Sequence, residues 1–266
     1  MAANDTAFTG SIPQLYEECL VPVLFEPYAR DLVDRARDLG GQDILEIAAG
    51  TGAVTRLLAG ALPDARITAT DLNPDMIAAA RQQPDRPNVA YSIADAMALP
   101  FGEDAFDLAL CQFGAMFFPD RIKAYCEARR VLRPHGIFMF NVWDRLDANI
   151  GSLAVHHAVR AALPDPKPHF LARTPFGYHD CNVIREELRA AGFGAVTIDR
   201  VGLSSPPEVA AGLARGMCLG SPLAGELAQH PREAQDRALA AAIDAVKAVA
   251  SAGPLAMSAL VVTARR

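Results

Sequence analysis

The chain of 266 residues has room for one large domain or two smaller ones. Its 51% hydrophobic content excludes an intrinsically disordered protein, and 19 glycines and 19 prolines exclude collagen-like and low-complexity chains. The net charge is −6 and no run of Lys and Arg exceeds two residues, so we expect no nucleic-acid partner.

Cysteine usage and the first residues bear on the cellular compartment. The five cysteines are scattered and form no C-x-x-C pair, which predicts reduced thiols with neither a zinc site nor a disulfide framework. The start of the chain has no basic and apolar leader pattern, and no apolar run reaches 18 residues. We therefore expect a cytoplasmic protein with no membrane partner and no bound metal, either a monomer or a homodimer.

The order of apolar runs predicts the fold class. Residues 12–39 are predicted as two short helices, interrupted at Pro22 or Pro27. From residue 43 onward, short β-branched or apolar runs alternate with helical stretches such as 54–62 and 76–81. The strand-like runs are residues 44–47, 66–70, 89–93, 106–111, 137–142, 196–198 and 259–263. This alternation predicts an α/β fold with a doubly wound, mostly parallel seven-stranded sheet. The last strand, residues 259–263, is expected to be antiparallel, as the family resemblance described below implies.

Local signals predict where several helices begin. Asn73, Pro74 and Asp75 supply an N-cap, a proline in the first turn and a first-turn acid. Residues 205–208, Ser-Pro-Pro-Glu, match a capping box. Asp180 or Asn182 is the expected cap of a helix that follows His179.

Two long segments interrupt the alternation and suggest a domain division. They are residues 144–182 and 202–258, and each follows the carboxyl end of a predicted strand. Ligands bind at that edge of open α/β sheets, so both segments are predicted to form a helical cap beside the site. The predicted organisation is an N-terminal helical lid, 1–40, and a domain over 41–266 that carries the two insertions.

A glycine-rich turn follows the first strand, with the sequence Glu46-Ile-Ala-Ala-Gly50-Thr-Gly52. Such a turn between a strand and a helix lets a ligand approach the backbone closely. A dinucleotide fingerprint requires glycines at 48, 50 and 53, where the chain has Ala48, Gly50 and Ala53. A second pattern, an acid followed by small residues at two-residue intervals, fits this turn better. Glu46 is the acid, Gly50 and Gly52 are small residues, and Ala48 stands where that pattern has its first glycine.

In this ordered set of motifs the sequence resembles the class I S-adenosylmethionine-dependent methyltransferases, in the small-molecule branch with methyltransferase type 11-like domains. The resemblance covers about residues 41–143 and includes Leu132-Arg-Pro-His-Gly136, similar to a family turn before the fifth strand, with His135 replacing a glycine. It implies S-adenosyl-L-methionine as the cofactor, with Asp71 on the ribose hydroxyls, Leu72 and Met76 beside the adenine, and a tyrosine-bearing N-terminal helix closing over the cofactor. The implied cofactor-binding residues are Tyr16, Glu46, Ala48, Gly50, Gly52, Asp71, Leu72, Met76, Asp95, Ala96, Gln112 and Phe113.

Candidates for proton transfer lie in and beside the first insertion. They are His156, His157, His169 and His179, with Trp143 just past the fifth strand on the substrate side. Each histidine has the alternative of a surface or packing role, and no catalytic residue is assigned. His135 lies at the amino end of a strand, so we expect no catalytic role for it.

The resemblance implies methyl transfer by direct displacement to a small, partly apolar acceptor, with S-adenosylhomocysteine as product. Because the sulfonium is already activated, the protein chiefly aligns the acceptor, and the sequence does not separate O-, N- and C-methylation. Three alternatives stay open: a lyase or cyclase that uses the same cofactor, a nucleotide-dependent dehydrogenase, and a noncatalytic cofactor-binding protein.

Overall fold

The computed structural model describes residues 5, 10, 12–84 and 86–266. The strands are β1 (Asp43–Ile47), β2 (Arg66–Asp71), β3 (Val89–Ile93), β4 (Phe106–Gln112), β5 (Leu132–Trp143), β6 (Val196–Ser205) and β7 (Leu255–Arg265). The helices are α1 (Ile12–Leu15), α2 (Glu26–Leu39), α3 (Ala53–Ala61), α4 (Pro74–Arg81), α5 (Arg121–Val131), α6 (Ile150–Ala162), α7 (Phe170–Arg173), α8 (Cys181–Ala190), α9 (Ala210–Leu219), α10 (Leu223–Leu227) and α11 (Arg232–Ala250).

The seven strands form one sheet in the order β3-β2-β1-β4-β5-β7-β6. Pairings of β1 with β2 and β4, of β2 with β3, and of β4 with β5 are parallel. The last strand is antiparallel: Arg266, just after β7, donates to Gly136 near the start of β5, whereas Asp144, just after β5, donates to Ser258 near the start of β7. The predicted fold class is confirmed. The strand order reverses between β1 and β4, where sheets of this kind bind ligands.

The N-terminal helical run is continuous, so the predicted interruption at Pro22 or Pro27 is wrong. Residues Tyr16–Phe25 form a π-helix between α1 and α2, and the N–H of Glu26 donates to Val21, five residues back. A proline inside an α-helix clashes with the carbonyl four residues earlier, whereas a π-helix pairs each residue with one five positions away. The chain therefore widens around Pro22 instead of breaking.

The later strands are longer than predicted, and one predicted cap is wrong. β5 begins at Leu132, because the turn expected at residues 132–136 is a bulge within the strand. Between two paired positions β5 advances five residues, from Leu132 to Ile137, while β4 advances two, from Phe106 to Leu108.

The cap predicted at Ser205 is not formed. Ser205 ends β6, and its hydroxyl donates to the carbonyl of Val23 instead of capping a helix.

The caps at the starts of α4 and α8 agree with prediction. The Asn73 side chain accepts from the N–H of Asp75, and Asp180, rather than Asn182, caps α8 by accepting from the N–H of Asn182. Both side chains satisfy backbone donors that a helix start leaves without intrahelical partners.

The chain divides into two compact units. Unit 1 contains Met1–Pro27, Trp143–Tyr178 and Val201–Ala259, and unit 2 contains Tyr28–Val142, His179–Arg200 and Leu260–Arg266. The sequence-based division into a lid of residues 1–40 and one domain with two insertions stays a prediction. Of the helices in the described ranges, none combines the length and apolarity that crossing a membrane requires.

Each unit has an apolar core. In unit 2, Tyr125 of α5 packs on Phe138 and Phe140 of β5, and all three side chains are fully buried. In unit 1, α6 and α9 approach so closely that a methyl group at Gly151 would lie 2.8 Å from Leu213. The unit 2 core fixes β1 and β4, whose carboxyl ends carry the candidate site.

Candidate cofactor site

The turn between β1 and α3 has three residues in the left-handed region of backbone conformation. The φ angles are 56° at Ala48, 57° at Gly50 and 83° at Gly52. A Cβ at Gly50 would meet no atom of the described residues within 4 Å, whereas one at Gly52 would lie 3.3 Å from the hydroxyl of Tyr91. Glycine adopts this conformation without strain, and Ala48 does so at a cost of about 1–2 kcal/mol. The turn therefore leaves open space beside the backbone at Gly50.

Asp71 ends β2 and is held by backbone donors. Its Oδ2 accepts from the N–H of Gly50 at 2.8 Å, and its Oδ1 accepts from the N–H of Asn73 at 2.8 Å. Burial raises the pKa of Asp71, and the backbone hydrogen bonds from Asn73, Gly50 and Leu72 oppose that rise. Three backbone donors do not use all the lone pairs of a carboxylate, so a fixed acceptor is available for a ligand hydroxyl beside the glycine turn.

Glu46 is a buried acid in β1, 1% exposed. Its Oε2 lies 2.5 Å from the hydroxyl of Thr55 in α3. Burial raises the pKa of Glu46 to about 8, opposed by the hydrogen bond with Thr55 and reinforced by the negative charge of Asp71. Glu46 is therefore mostly a neutral carboxylic acid at pH 7, a property that the sequence motif did not reveal.

Apolar and polar side chains follow β2 and β3 at the same edge. The register pairs Asp71 with Ile93, so the two strands end side by side. Leu72 is 60% exposed, whereas Met76 in α4 is buried. Asp95 follows β3, and its carboxylate accepts from the N–H of Met97. This edge thus combines exposed apolar surface at Leu72 with an acidic group at Asp95 beside the buried Ala96.

The end of β4 supplies the other side of the glycine turn. Phe113, which follows Gln112, has a φ of 49°, and its N–H donates to the side-chain oxygen of Asn141 at 3.0 Å. A Cβ at Gly114 would lie 2.6 Å from the Cβ of Ala48, so β4 ends in close contact with the turn. The sequence reading missed Thr55, Asn141 and Gly114. Only Gly114 carried a signal, as a glycine three residues after the predicted strand 106–111.

The N-terminal tyrosine belongs to an aromatic group within unit 1. Tyr16 stacks on Phe25 with ring centroids 4.8 Å apart, Phe25 lies 6.1 Å from Trp143, and Trp143 lies 5.8 Å from Phe176. A π-helix is wider than an α-helix, because it pairs residues five apart. Two of its turns take roughly nine residues, so Tyr16 and Phe25 lie on the same side of the helix. The expected roles of Tyr16 at the cofactor and Trp143 at the substrate stay predictions.

Three of the candidate histidines cluster in unit 1. His156 is buried, and its ring lies 5.7 Å from that of His157 and 6.1 Å from that of His169, both exposed. Burial and then the positive charge of Arg160 lower the pKa of His156 to about 4, so it is neutral at pH 7 and a weak base. His179 lies in unit 2, directly before the cap of α8.

In the ranges that the structure describes, no group of three or more His, Cys, Asp or Glu residues is arranged to hold a metal ion.

His135 lies in the bulge of β5, exposed and with a φ of 68°. That position is near the amino end of the strand, where the sequence placed it. Every assignment of a residue to cofactor or acceptor stays a prediction.

Comparisons with known proteins bear on this arrangement. Residues 45–140 match a family model described as a methyltransferase domain. Over 111 residues the chain is 38% identical to the demethylmenaquinone methyltransferase of Thermus thermophilus, and the match covers 41% of this chain and 50% of that relative. The chain thus spans half the length of this curated relative.

Solved structures extend the likeness to the whole fold. The YcgJ protein of Bacillus subtilis is 19% identical with a TM-score of 0.58, covering 90% of this chain and 97% of that one. Phosphoethanolamine N-methyltransferase 2 of Haemonchus contortus, solved with S-adenosyl-L-methionine, is 16% identical with a TM-score of 0.63, covering 100% of this chain and 60% of that one. At such identities the likeness concerns the fold. The family match confirms the resemblance inferred from the motifs over residues 45–140, which are similar to a methyltransferase domain.

Proposed function

We propose that the protein is an S-adenosylmethionine-dependent methyltransferase that acts on a small-molecule acceptor and releases S-adenosylhomocysteine. The observation that carries the proposal is the Asp71 carboxylate, fixed by the N–H groups of Gly50 and Asn73 beside a turn with open space at Gly50. Charged acceptors form hydrogen bonds worth about 1.5–3 kcal/mol each, which suits a carboxylate that receives ribose hydroxyls.

The described residues fit this cofactor in charge and shape. Asp71 and Asp95 place carboxyl groups at this edge, which favours a ligand with a positive sulfonium. Leu72 offers exposed apolar surface on which an adenine ring can pack. When bound, the cofactor supplies a methyl group on an activated sulfur, and the contribution of the chain is to bind it and to align the acceptor.

The acceptor class is the finer part of the proposal. Demethylmenaquinone methyltransferase, to which the chain is similar, acts by its name on demethylmenaquinone. We therefore place aromatic, quinone-like acceptors first in a screen. Carbon methylation would require the reduced, hydroxyl-bearing form of such a ring, whose carbon attacks the methyl group while the thioether leaves, and a proton acceptor takes up the proton that the ring loses. As proton acceptors we propose His157 and His169, which are exposed, ahead of the buried His156.

Binding and product analysis test the proposal together. S-adenosylhomocysteine is expected to raise the melting temperature in a saturable way, by an amount equivalent to about 2.7 kcal/mol at a hundredfold excess over Kd. Turnover with an accepted aromatic compound is then expected to give S-adenosylhomocysteine and a methylated product. Formation of methylthioadenosine would indicate a lyase or cyclase, whereas stabilisation by NAD but not by S-adenosylhomocysteine would indicate a dehydrogenase.

A further inference from the structure

Two residues beside the candidate site hold a backbone conformation that L-amino acids rarely adopt. Ala48 follows β1 with a φ of 56°, and Phe113 follows β4 with a φ of 49°. These two strands flank the point where the strand order reverses. A strained residue persists only where its surroundings hold it, and such residues cluster at functional sites. The contacts of Ala48 and Phe113 therefore indicate what the fold holds in place at this edge.

Phe113 is held through both its ring and its backbone. Its ring meets that of Tyr28 edge to face with centroids 5.5 Å apart, and both rings are buried. Its N–H donates to the side-chain oxygen of Asn141 at 3.0 Å and also to the main-chain carbonyl of Asn141 at 3.1 Å. The core thus anchors the ring, and the Asn141 amide fixes the backbone where β4 leaves the sheet.

Asn141 is a polar residue in an apolar part of β5. It has no exposed surface and lies between the buried Phe140 and Val142. Burying an amide is costly unless its polar atoms are hydrogen-bonded. The register pairs Asn141 with Gln112, and its Nδ2 lies 3.5 Å from the side-chain oxygen of Gln112. The shorter of these two side-chain contacts is the one with Phe113, so the amide chiefly serves the left-handed turn.

The left-handed turn at Phe113 brings Gly114 against the glycine turn. A Cβ at Gly114 would lie 2.6 Å from the Cβ of Ala48, closer than real Cβ atoms approach other atoms. Two residues further along, the N–H of Gly50 donates to Asp71 at 2.8 Å. A displacement of the end of β4 would therefore reach the turn that holds the Asp71 carboxylate.

We propose that Asn141 is a positioning residue for cofactor binding. Its side chain holds Phe113 in the left-handed conformation, and Gly114 then supports Ala48, so that the glycine turn stays in place beside Asp71. Asn141 acts through the backbone and is assigned no contact with the ligand. This inference rests on the proposed function, because the ligand is the cofactor assigned there to Asp71.

Asn141→Leu removes the side-chain acceptor at similar volume, while the main-chain carbonyl at 3.1 Å still accepts from the Phe113 N–H. Calorimetry is expected to show S-adenosylhomocysteine binding weakened by about tenfold, because the turn loses its support. Asn141→Asp keeps an acceptor oxygen at the same position and is expected to bind more tightly than the leucine variant. This rescue by a conservative change separates the hydrogen bond from the mere size of the side chain.

Hydrogen exchange in the ligand-free chain separates positioning from a general loss of stability. In Asn141→Leu, exchange is expected to accelerate at the amides of Phe113 and Gly50, whereas amides within the paired stretches of β1 and β4 keep their wild-type rates. A purely structural role for Asn141 would accelerate exchange in both places.

Asn88→Leu is the matched control for the loss of an asparagine amide. The side-chain Nδ2 of Asn88 donates to the carbonyls of Leu62 at 3.2 Å and Ala65 at 3.1 Å, near the amino end of β3. The same chemical change at this opposite edge is expected to lower stability and to leave affinity for S-adenosylhomocysteine unchanged.

Gly114→Ala tests the same path without altering Asn141. The added methyl group would displace Ala48 and is expected to weaken S-adenosylhomocysteine binding by about tenfold or more. Gly102→Ala is its control, because a Cβ there would meet no atom of the described residues within 4 Å. This control is expected to bind with wild-type affinity.

Three results would overturn the inference. They are wild-type affinity in Asn141→Leu, wild-type affinity in Gly114→Ala, and exchange that accelerates equally at Gly50 and along β1 and β4. The Gly114→Ala result stands even where Asn141→Leu does not fold. If the wild-type chain binds no S-adenosylhomocysteine, the proposed function itself fails, whereas the exchange measurement still decides whether Asn141 positions the turn.

Discussion

Asp71 shows how a single residue can be fixed before any ligand arrives. Two backbone N–H groups, one from the glycine turn and one from the residue that caps α4, hold its two oxygens at 2.8 Å. Because the donors belong to the backbone, no side chain has to rearrange when a hydroxyl ligand binds. Preorganisation of this kind reduces the entropy lost on binding.

Replacing Asp71 by Ala is expected to weaken binding of S-adenosylhomocysteine by roughly ten- to a hundredfold, since tenfold corresponds to about 1.4 kcal/mol. Calorimetry at pH 7 measures the change. Asp75→Ala, four residues along the chain and exposed, is the control and is expected to bind normally. Unchanged affinity in Asp71→Ala would remove this carboxylate from the site.

His135 is a second residue whose backbone matters more than its side chain. Its φ of 68° in the β5 bulge favours glycine. His135→Gly is expected to be more stable than His135→Ala by about 1 kcal/mol, measured by chemical denaturation, because alanine keeps the strain of the left-handed conformation. Both variants are expected to retain turnover. A large loss of turnover in either one would place His135 in the catalytic machinery.

Among the elements, the amino ends of β1, β4 and β5 are joined by an ion-pair network. Arg133 of β5 pairs with Asp43 of β1 and Asp107 of β4, and Asp107 also accepts from the N–H groups of Gln42 and Asp43. The partners hold the pKa of Asp107 below its usual range despite burial, and hydrogen bonds from Arg66 and Arg133 do the same for Asp43. The network stabilises the register of the sheet opposite the candidate site.

The depressed pKa values set the direction of a pH effect. A lowered pKa in the folded state gives stability that is complete above the ordinary value of about 3.8 and lost as pH falls through the folded value. Asp107→Asn is expected to lower the free energy of unfolding by about 1 kcal/mol at pH 7, and by less below pH 4. Denaturation with urea at both pH values measures this. Asp236→Asn, in an exposed pair with Arg232, is the control, and an equal loss at both pH values would contradict the prediction.

At the scale of the whole chain, unit 1 is assembled from three separate stretches that polar side chains connect. Asp5 from the first stretch accepts hydrogen bonds from Arg173 and Thr174 of the second, and Arg173 pairs with Glu226 of the third. The Asp5 carboxylate is almost fully buried. Glu226 also accepts from the N–H groups of His169 and Phe170.

Removing the carboxylate in Asp5→Ala is expected to lower the free energy of unfolding by roughly 1.5–3 kcal/mol, since a buried charged hydrogen-bond partner is lost. Hydrogen exchange is expected to accelerate around residues 169–174, because the hydroxyl of Thr174 and one side of Arg173 lose their acceptor. Glu233→Ala, in an exposed pair with Arg237, supplies the comparison and is expected to change neither measurement. Wild-type stability in Asp5→Ala would show that the network contributes little.

Local patterns predicted much of the fold. Alternating strands and helices determined the sheet, and Asn73 and Asp180 determined helix starts, because these signals act over a few neighbouring residues. The capping box at Ser205 failed because its hydroxyl found a distant acceptor at Val23. The break at Pro22 failed because a π-helix accommodates the proline. In both cases an interaction outside the motif decided the local structure.

By itself, the sequence determined a mostly parallel sheet, a glycine turn after β1 with Asp71 at the next strand end, and the similarity of residues 45–140 to a methyltransferase domain. These features depend on spacing along the chain. Only the tertiary structure decided that Glu46 is buried against Thr55 beside Asp71, with its pKa raised to about 8, and that Asp5 joins the segments of unit 1. Burial and long-range charge pairing depend on which distant residues exclude water from a side chain, and spacing along the chain carries no record of that.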